Sequence, residues 1–145
     1  MVKQADKIEL KTVAELAARL WKEASASELY SEFNELAEKG GARFFLKYCG
    51  EIPVGFAQCQ LRKDYVEGCE TYPVGYLEGI YVANEYRHRG YASELLRACE
   101  KWSKSNGCRE FASDCELNNT ASHGFHMNTG FEEANRIICF KKRLY

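Results

Sequence analysis

Tyr76-Leu77-Glu78-Gly79-Ile80-Tyr81-Val82 is an apolar strand pattern, and it leads through a short connection into Arg87-His88-Arg89-Gly90-Tyr91-Ala92, from which an amphipathic helix runs on. A strand, a basic glycine-containing loop and a helix N-terminus in that order make an anion cradle. The unpaired amides of the first helical turn and the positive end of the helix dipole converge on one point. Gly90 lets the backbone approach an anion with no Cβ in the way, and the small Ala92 keeps the first turn open. The point suits a pyrophosphate. Taken alone, the hexapeptide reads equally well as a solvated basic loop; the strand before it and the helix after it favour the cradle. A Walker loop and a dinucleotide fingerprint are excluded, because neither Gly-Lys-Ser/Thr nor three spaced glycines occur.

The chain around this stretch has 145 residues, enough for one domain with a real core and little more. A net charge of −1 gives no global basic field, which argues against nucleic acid as a partner. Seven cysteines without a C-x-x-C pair offer neither a zinc knuckle nor a redox motif, so no metal is expected. Their odd number and the polar N-terminus point to reduced thiols in the cytoplasm. No apolar run approaches the length of about 18 residues needed to span a membrane.

Local patterns set the element order. A short strand is expected near Val2 to Asp6. Thr12 with Glu15 reads as a capping box for a helix carrying Val13, Leu16, Ala17, Leu20 and Trp21 and ending near Glu23; Ser25 with Glu28 repeats the signature for a second helix closed by Gly40-Gly41. Phe44 to Cys49 and Val54 to Leu61 form a hairpin across Gly50-Glu51-Ile52-Pro53, and a loop from Lys63 to Val74 leads to the strand before the cradle. The cradle helix carries Ala92, Leu95, Leu96, Cys99 and Trp102 on one face and stops at Asn106-Gly107. Glu110 to Asp114 is a strand, Asn118 to Thr129 a polar helix, and Phe131 to Leu144 two closing strands.

Arg87, Gly90 and Ala92 in this setting resemble the acetyl-CoA loop, Arg/Gln-x-x-Gly-x-Gly/Ala, of the GNAT superfamily of N-acetyltransferases, and the element order over residues 1–145 matches that fold. The resemblance implies an α/β (α+β) GNAT domain whose mixed central sheet carries helices on both faces and splays between strands 4 and 5. The strand before the cradle would carry a bulge, and pantetheine would pair with the backbone exposed by the splay. Cofactor contacts implied in this way fall on Ile80, Tyr81, Val82, His88, Arg89, Gly90, Tyr91, Ala92, Ser93 and Asn119, with acetyl-CoA as the co-substrate.

The acceptor is read from charge. Between Asp64 and Glu78 stand four acids, Asp64, Glu67, Glu70 and Glu78, without a Lys or Arg, and Asp114 and Glu116 follow the neighbouring strand. This is either a solvated acidic face or the lining of a site for a cationic substrate. Glu78 interrupts an apolar strand, so it points to solvent or into a polar cavity.

Several pieces are similar to those of the chromosomal type of aminoglycoside 6′-N-acetyltransferase: Asp64-Tyr65-Val66-Glu67-Gly68-Cys69, Leu77-Glu78-Gly79-Ile80, Gly107-Cys108-Arg109-Glu110 with Ala112-Ser113-Asp114, and Gly130-Phe131-Glu132-Glu133. That resemblance implies that Trp21, Tyr65, Glu78, Asp114 and Asn135 bind an aminoglycoside or another polycationic amine, with Glu78 and Asp114 as the catalytic carboxylates, and it implies a homodimer. At Asn135 relatives often carry an acid. His126 stands where many superfamily members have the tyrosine that protonates the leaving thiolate.

An alkylamine acceptor is protonated up to a pKa of about 10 and must lose a proton before it attacks the thioester. Glu78 or Asp114, through ordered water, is the expected route, and a backbone N–H near Ile80 to Val82 would polarise the thioester oxygen. Two other readings stay open. One is a GNAT enzyme for a polyamine or a protein amino group; the other is a non-catalytic acyl-CoA or nucleic-acid binding module.

Overall fold

The computed structural model describes residues 1–145 and contains one five-stranded sheet in the order β1-β2-β3-β4-β5. The strands are β1 (Val2–Gln4), β2 (Ala42–Cys49), β3 (Ile52–Arg62), β4 (Val74–Val82) and β5 (Phe111–Ala112); the helices are α1 (Leu10–Leu20), α2 (Ala26–Lys39), α3 (Tyr91–Ser105) and α4 (Thr120–Asn128). Strands β1 to β4 pair antiparallel, and β5 runs parallel to β4. The mixed sheet and the order of elements as far as α4 are those expected.

The sheet separates two cores. On one face α1 and α2 pack Leu10, Val13, Leu16, Leu29 and Phe33 against Phe44, Leu46 and Phe56. On the other, Leu95, Leu96 and Cys99 of α3 meet Phe45, Ala57, Leu77 and Val82. Adjacent residues such as Phe44 and Phe45, or Phe56 and Ala57, thus serve opposite faces, as the two-residue period of a strand dictates.

Helix ends follow side-chain capping. Ser25 and Glu28 form the expected box, with the Glu28 amide donating to Ser25 Oγ at 3.1 Å and Ser25 Oγ donating to Glu28 at 3.0 Å. At α1 the box lies elsewhere. Asp6 and Glu9 cap each other's amides, at 2.8 and 3.1 Å, and Thr12 sits inside the helix. Leu10 heads the buried stripe Leu10, Val13, Ala14, Ala17, so the helix must begin before Thr12.

The expected closing strands over Phe131 to Leu144 do not form. The chain beyond α4 has no regular element, and Phe140 is 89 % exposed. A strand needs a partner edge, and β5, the edge next to it, is two residues long.

Candidate active site

Glu78 is placed by a β-bulge. Gln58 pairs with Gly79 and Cys59 with Leu77, so Glu78 is the extra residue of β4 with no partner across the ladder. The bulge also shifts the alternation of the strand. Leu77 packs toward α3, as do Ile80 and Val82, whereas Gly79 lies under the ring of Trp21 on the α1 face. Parallel pairing with β5 covers only Gly75 and Tyr76. From Leu77 onward β4 therefore has no strand on its β5 side, and the cleft predicted between strands 4 and 5 opens at Glu78.

The acids around the cleft are engaged. Glu78 receives Arg62 Nε at 3.0 Å and Nη2 at 2.8 Å, while the Arg62 guanidinium lies 3.5 Å from the centre of the Tyr76 ring. The Tyr76 hydroxyl donates to Asp114, the exposed residue beyond β5. Burial first, and then that bond to a carboxylate, pushes the Tyr76 hydroxyl well above the ordinary tyrosine range. Glu78, Arg62, Tyr76 and Asp114 are thus one linked group. The charge pattern of Asp64 to Glu78 gave no sign of Arg62, which lies just before that run; the signal for it is the register of the β3–β4 hairpin.

Trp21 caps the end of α1, half-buried, with its ring edge-on to Phe56 at 5.9 Å and its far edge over Gly79. It is core packing and a wall beside the Glu78 bulge at once. Tyr65 and Asn135 meet at a different point. Both donate to Glu67, whose carboxyl is held below its usual range first by Asn135 and then by Tyr65. These two share no hydrogen bond with Glu78 or Asp114.

The cradle has the geometry its sequence demands. A 3₁₀ turn at Asn84–Tyr86 follows β4, and Gly90 then caps α3 with φ 81° and nothing within 4 Å of the place a Cβ would occupy. His88 also has positive φ, 64°, the only non-glycine residue to do so. That conformation costs about 1 kcal/mol or more outside glycine, and a pair of left-handed residues bends successive amides toward one concavity. His88 and Arg89 are exposed, and Tyr91, Ala92 and Ser93 form the half-buried first turn. Arg87, exposed as well, donates from Nε to the Val82 carbonyl at 2.8 Å and so holds the loop to the end of β4.

Glu94, an acid in that first turn, would oppose an anion there. Lys47 of β2, almost fully buried, pairs with it at 2.9 Å and lies 4.3 Å from the Tyr91 ring centre. The pair neutralises the carboxylate and leaves the helix end positive.

Beyond β5, Asn119 caps α4 by accepting the Ser122 amide at 3.1 Å. His126 lies against the splayed strands, with Nε2 2.9 Å from Ser113 Oγ and Nδ1 2.7 Å from the Ser122 carbonyl; Ser113 in turn reaches the Leu77 carbonyl at 3.3 Å. Burial, then Glu110, pushes the Cys69 thiol up, which disfavours it as a nucleophile. No group of three or more His, Cys, Asp or Glu side chains is arranged to hold a metal ion, and no helix is long and apolar enough to cross a membrane.

The chain matches the model of the acetyltransferase (GNAT) family over residues 10–131. It is 39 % identical over 143 residues to aminoglycoside N(6′)-acetyltransferase type 1 of Acinetobacter haemolyticus, covering 99 % of this chain and 98 % of that protein. Among solved structures it resembles aminoglycoside N-acetyltransferase AAC(6′)-Iy in complex with CoA, with a TM-score of 0.94 and 35 % identity over 99 % of this chain and 94 % of that one. The same enzyme in complex with the bisubstrate analogue CoA-S-monomethyl-acetylneamine superposes with a TM-score of 0.93 and 35 % identity, over 99 % and 97 % of the two chains.

Proposed function

The chain belongs to the GNAT acetyltransferase family, and on that premise we propose that it transfers the acetyl group of acetyl-CoA to the 6′-amino group of aminoglycosides, conferring resistance to them. The observation that carries this reading is Glu78. A carboxylate is delivered by a bulge into the mouth of the β4–β5 splay, within a chain that matches an aminoglycoside N(6′)-acetyltransferase from end to end.

The donor side fits a CoA thioester, which supplies the activated acetyl group. Gly90 leaves room for a pyrophosphate against the free amides of Tyr91, Ala92 and Ser93, with His88 and Arg89 at its rim. Ile80, Tyr81 and Val82 offer backbone groups to the pantetheine arm and an N–H to the thioester oxygen. The side-chain amide of Asn119 lies at the opposite strand's helix start.

On the acceptor side Glu78 and Asp114 hold ammonium groups, Trp21 forms a wall, and Tyr65 and Asn135 line the outer part around Glu67. The 6′-ammonium loses one proton, through water, to Glu78 or Asp114; its nitrogen bonds to the acetyl carbon and gives up a second proton as the carbon–sulfur bond breaks, and the electron pair leaves on sulfur, which takes up one proton to depart as the thiol. Direct attack in a ternary complex needs no covalent enzyme intermediate. The proton of the thiol comes from His126, which hydrogen-bonds Ser113 and Ser122, or from a tyrosine near the sulfur.

We further propose a single acetyltransferase domain over residues 1–145, a cytoplasmic location supported by seven unpaired cysteines, and a homodimer. The homodimer is supported by Ile137, Ile138, Phe140 and Leu144, all exposed beyond the edge of the sheet. A run of that kind marks an interaction surface. Light scattering that gives the mass of one chain removes the dimer.

A thiol-release assay tests the activity. An aminoglycoside with a free 6′-amine should be turned over and should carry the new amide at that nitrogen by NMR, whereas a 6′-hydroxyl compound should bind with similar affinity and accept no acetyl group. Turnover of polyamines in preference to aminoglycosides, or acetylation at another amine, overturns the assignment.

A further inference from the structure

We propose that Arg62 is a positioning residue of the acceptor site, a clamp that fixes the Glu78 carboxylate in the orientation in which it takes the proton of the attacking amine. The proposal rests on the reading of Glu78 given above.

Glu78 is the one residue of β4 that the ladder does not hold, because it is the extra residue of the bulge. A glutamate left free on such a position samples many rotamers and must be ordered before it can act. Arg62, the last residue of β3, removes that freedom by two parallel hydrogen bonds, one to each carboxylate oxygen, 3.0 and 2.8 Å long. The fork is itself fixed by lying 3.5 Å over the Tyr76 ring, and Tyr76 is anchored to Asp114 through its hydroxyl. Four side chains from β3, β4 and the segment after β5 therefore set each other's positions at the mouth of the cleft.

Stability does not account for this arrangement. Arg62 keeps 42 % of its side chain in water, and an ion pair so exposed adds little to stability. A lysine or a solvated glutamate would serve the fold as well. What only arginine supplies is the planar bidentate grip together with stacking on an aromatic ring. A carboxylate has about four lone-pair directions. Two go to Arg62, and the remaining two are left in fixed directions for an ammonium or a proton-carrying water. The clamp also cancels one negative charge of the site, so it serves geometry at the expense of attraction for a polycation.

That last point separates the proposal from a merely structural role, through kcat and KM measured with neamine for wild type, Arg62→Gln, Arg62→Lys, Glu78→Gln and the Arg62→Gln/Glu78→Gln pair. Arg62→Gln should lose about tenfold or more in kcat, with KM for neamine unchanged or lower and KM for acetyl-CoA unchanged. Arg62→Lys, which keeps the charge and loses the fork, should not restore kcat. In the Glu78→Gln background, removing Arg62 should cost no more than about twofold further, because the clamp then has nothing to orient.

If Glu78→Gln is impaired while Arg62→Gln keeps wild-type kcat, or the two losses multiply, or KM for neamine rises with kcat intact, the clamp is wrong and the site reading stands. A silent Glu78→Gln overturns both. Should Arg62→Gln fold poorly, Arg62→Lys decides alone: a depressed kcat at an unchanged melting temperature supports the clamp, and wild-type kcat ends it.

Discussion

The ring of Trp21 lies so close over Gly79 that a Cβ at residue 79 would meet Cη2 and Cζ2 of the indole at 2.5 Å. The absence of a side chain on β4 is therefore what lets an aromatic residue from the end of α1 reach the bulge beside Glu78. Gly79→Ala must push the indole aside or bend the strand. An overpacked contact of this kind costs roughly 1–3 kcal/mol. A lower melting temperature accompanied by a higher KM for the aminoglycoside is the expected result; an unchanged KM at a lowered melting temperature would make Trp21 a packing residue and no more.

The cradle separates backbone strain from charge. Gly90 has φ 81°, which any L residue adopts at some cost, and asparagine and aspartate tolerate it best. Gly90→Asn carries the strain alone, and Gly90→Asp adds a negative charge where the pyrophosphate would sit. Calorimetric titration with acetyl-CoA should show the aspartate variant at least about tenfold weaker than the asparagine variant, with similar melting temperatures. Equal affinities would remove the anion from this helix end.

Asp114 holds the Tyr76 hydroxyl, and Asp114→Asn keeps an acceptor for that bond while removing the charge. Loss of one charge-assisted contact to an ammonium is worth about 1.5–3 kcal/mol, so kcat/KM for an aminoglycoside should fall roughly ten- to hundred-fold. Acetyl-CoA affinity should stay as it is. Unaltered kinetics would take Asp114 out of the site.

Tyr76 gives a pH signature. Its hydroxyl ionises later in the folded protein than in the unfolded chain, so the Tyr76–Asp114 contact contributes stability that is fully present below the ordinary tyrosine pKa, near about 10. The contribution is lost as pH rises through the higher folded value. In an ultraviolet titration one of the nine tyrosines should resist ionisation after the exposed ones have titrated, and Tyr76→Phe should abolish that late component. A late component that survives the substitution would belong to another tyrosine; Tyr48, pushed up by burial and Glu9, is the next candidate.

The parts of this molecule that were legible in its sequence are those fixed by neighbours along the chain. The Ser25–Glu28 box, the glycine stop after α2 and the cradle before α3 each depend on a few consecutive residues, and each lies where the pattern put it. Thr12 and Glu15 carried the same local signature without effect, because burying Leu10 required an earlier start. Arg62 was hidden for a different reason. Its grip on Glu78 follows from how β3 and β4 pair across an eleven-residue connection, and from a bulge that turns one side chain out of phase. The bulge and the splay were expected through family resemblance; the residue at which both occur had to be seen. The closing strands failed because a β-rich pattern states a preference for pairing and not the whereabouts of a partner.

The single sheet lying between two separate cores has a consequence for how such an enzyme diversifies. Trp21 belongs to the layer built by α1 and α2, whereas the turn that would receive the donor is rooted in the α3 layer, with only the thickness of one strand between them. On the site reading proposed above, substitutions that reshape the first layer should act more on which drug is accepted than on the donor turn, although Tyr81 of β4 also packs on that layer. Under changing antibiotic selection, variation should therefore collect in α1, α2 and the β3–β4 connection, while the α3 layer stays nearly constant across variants of differing resistance spectrum.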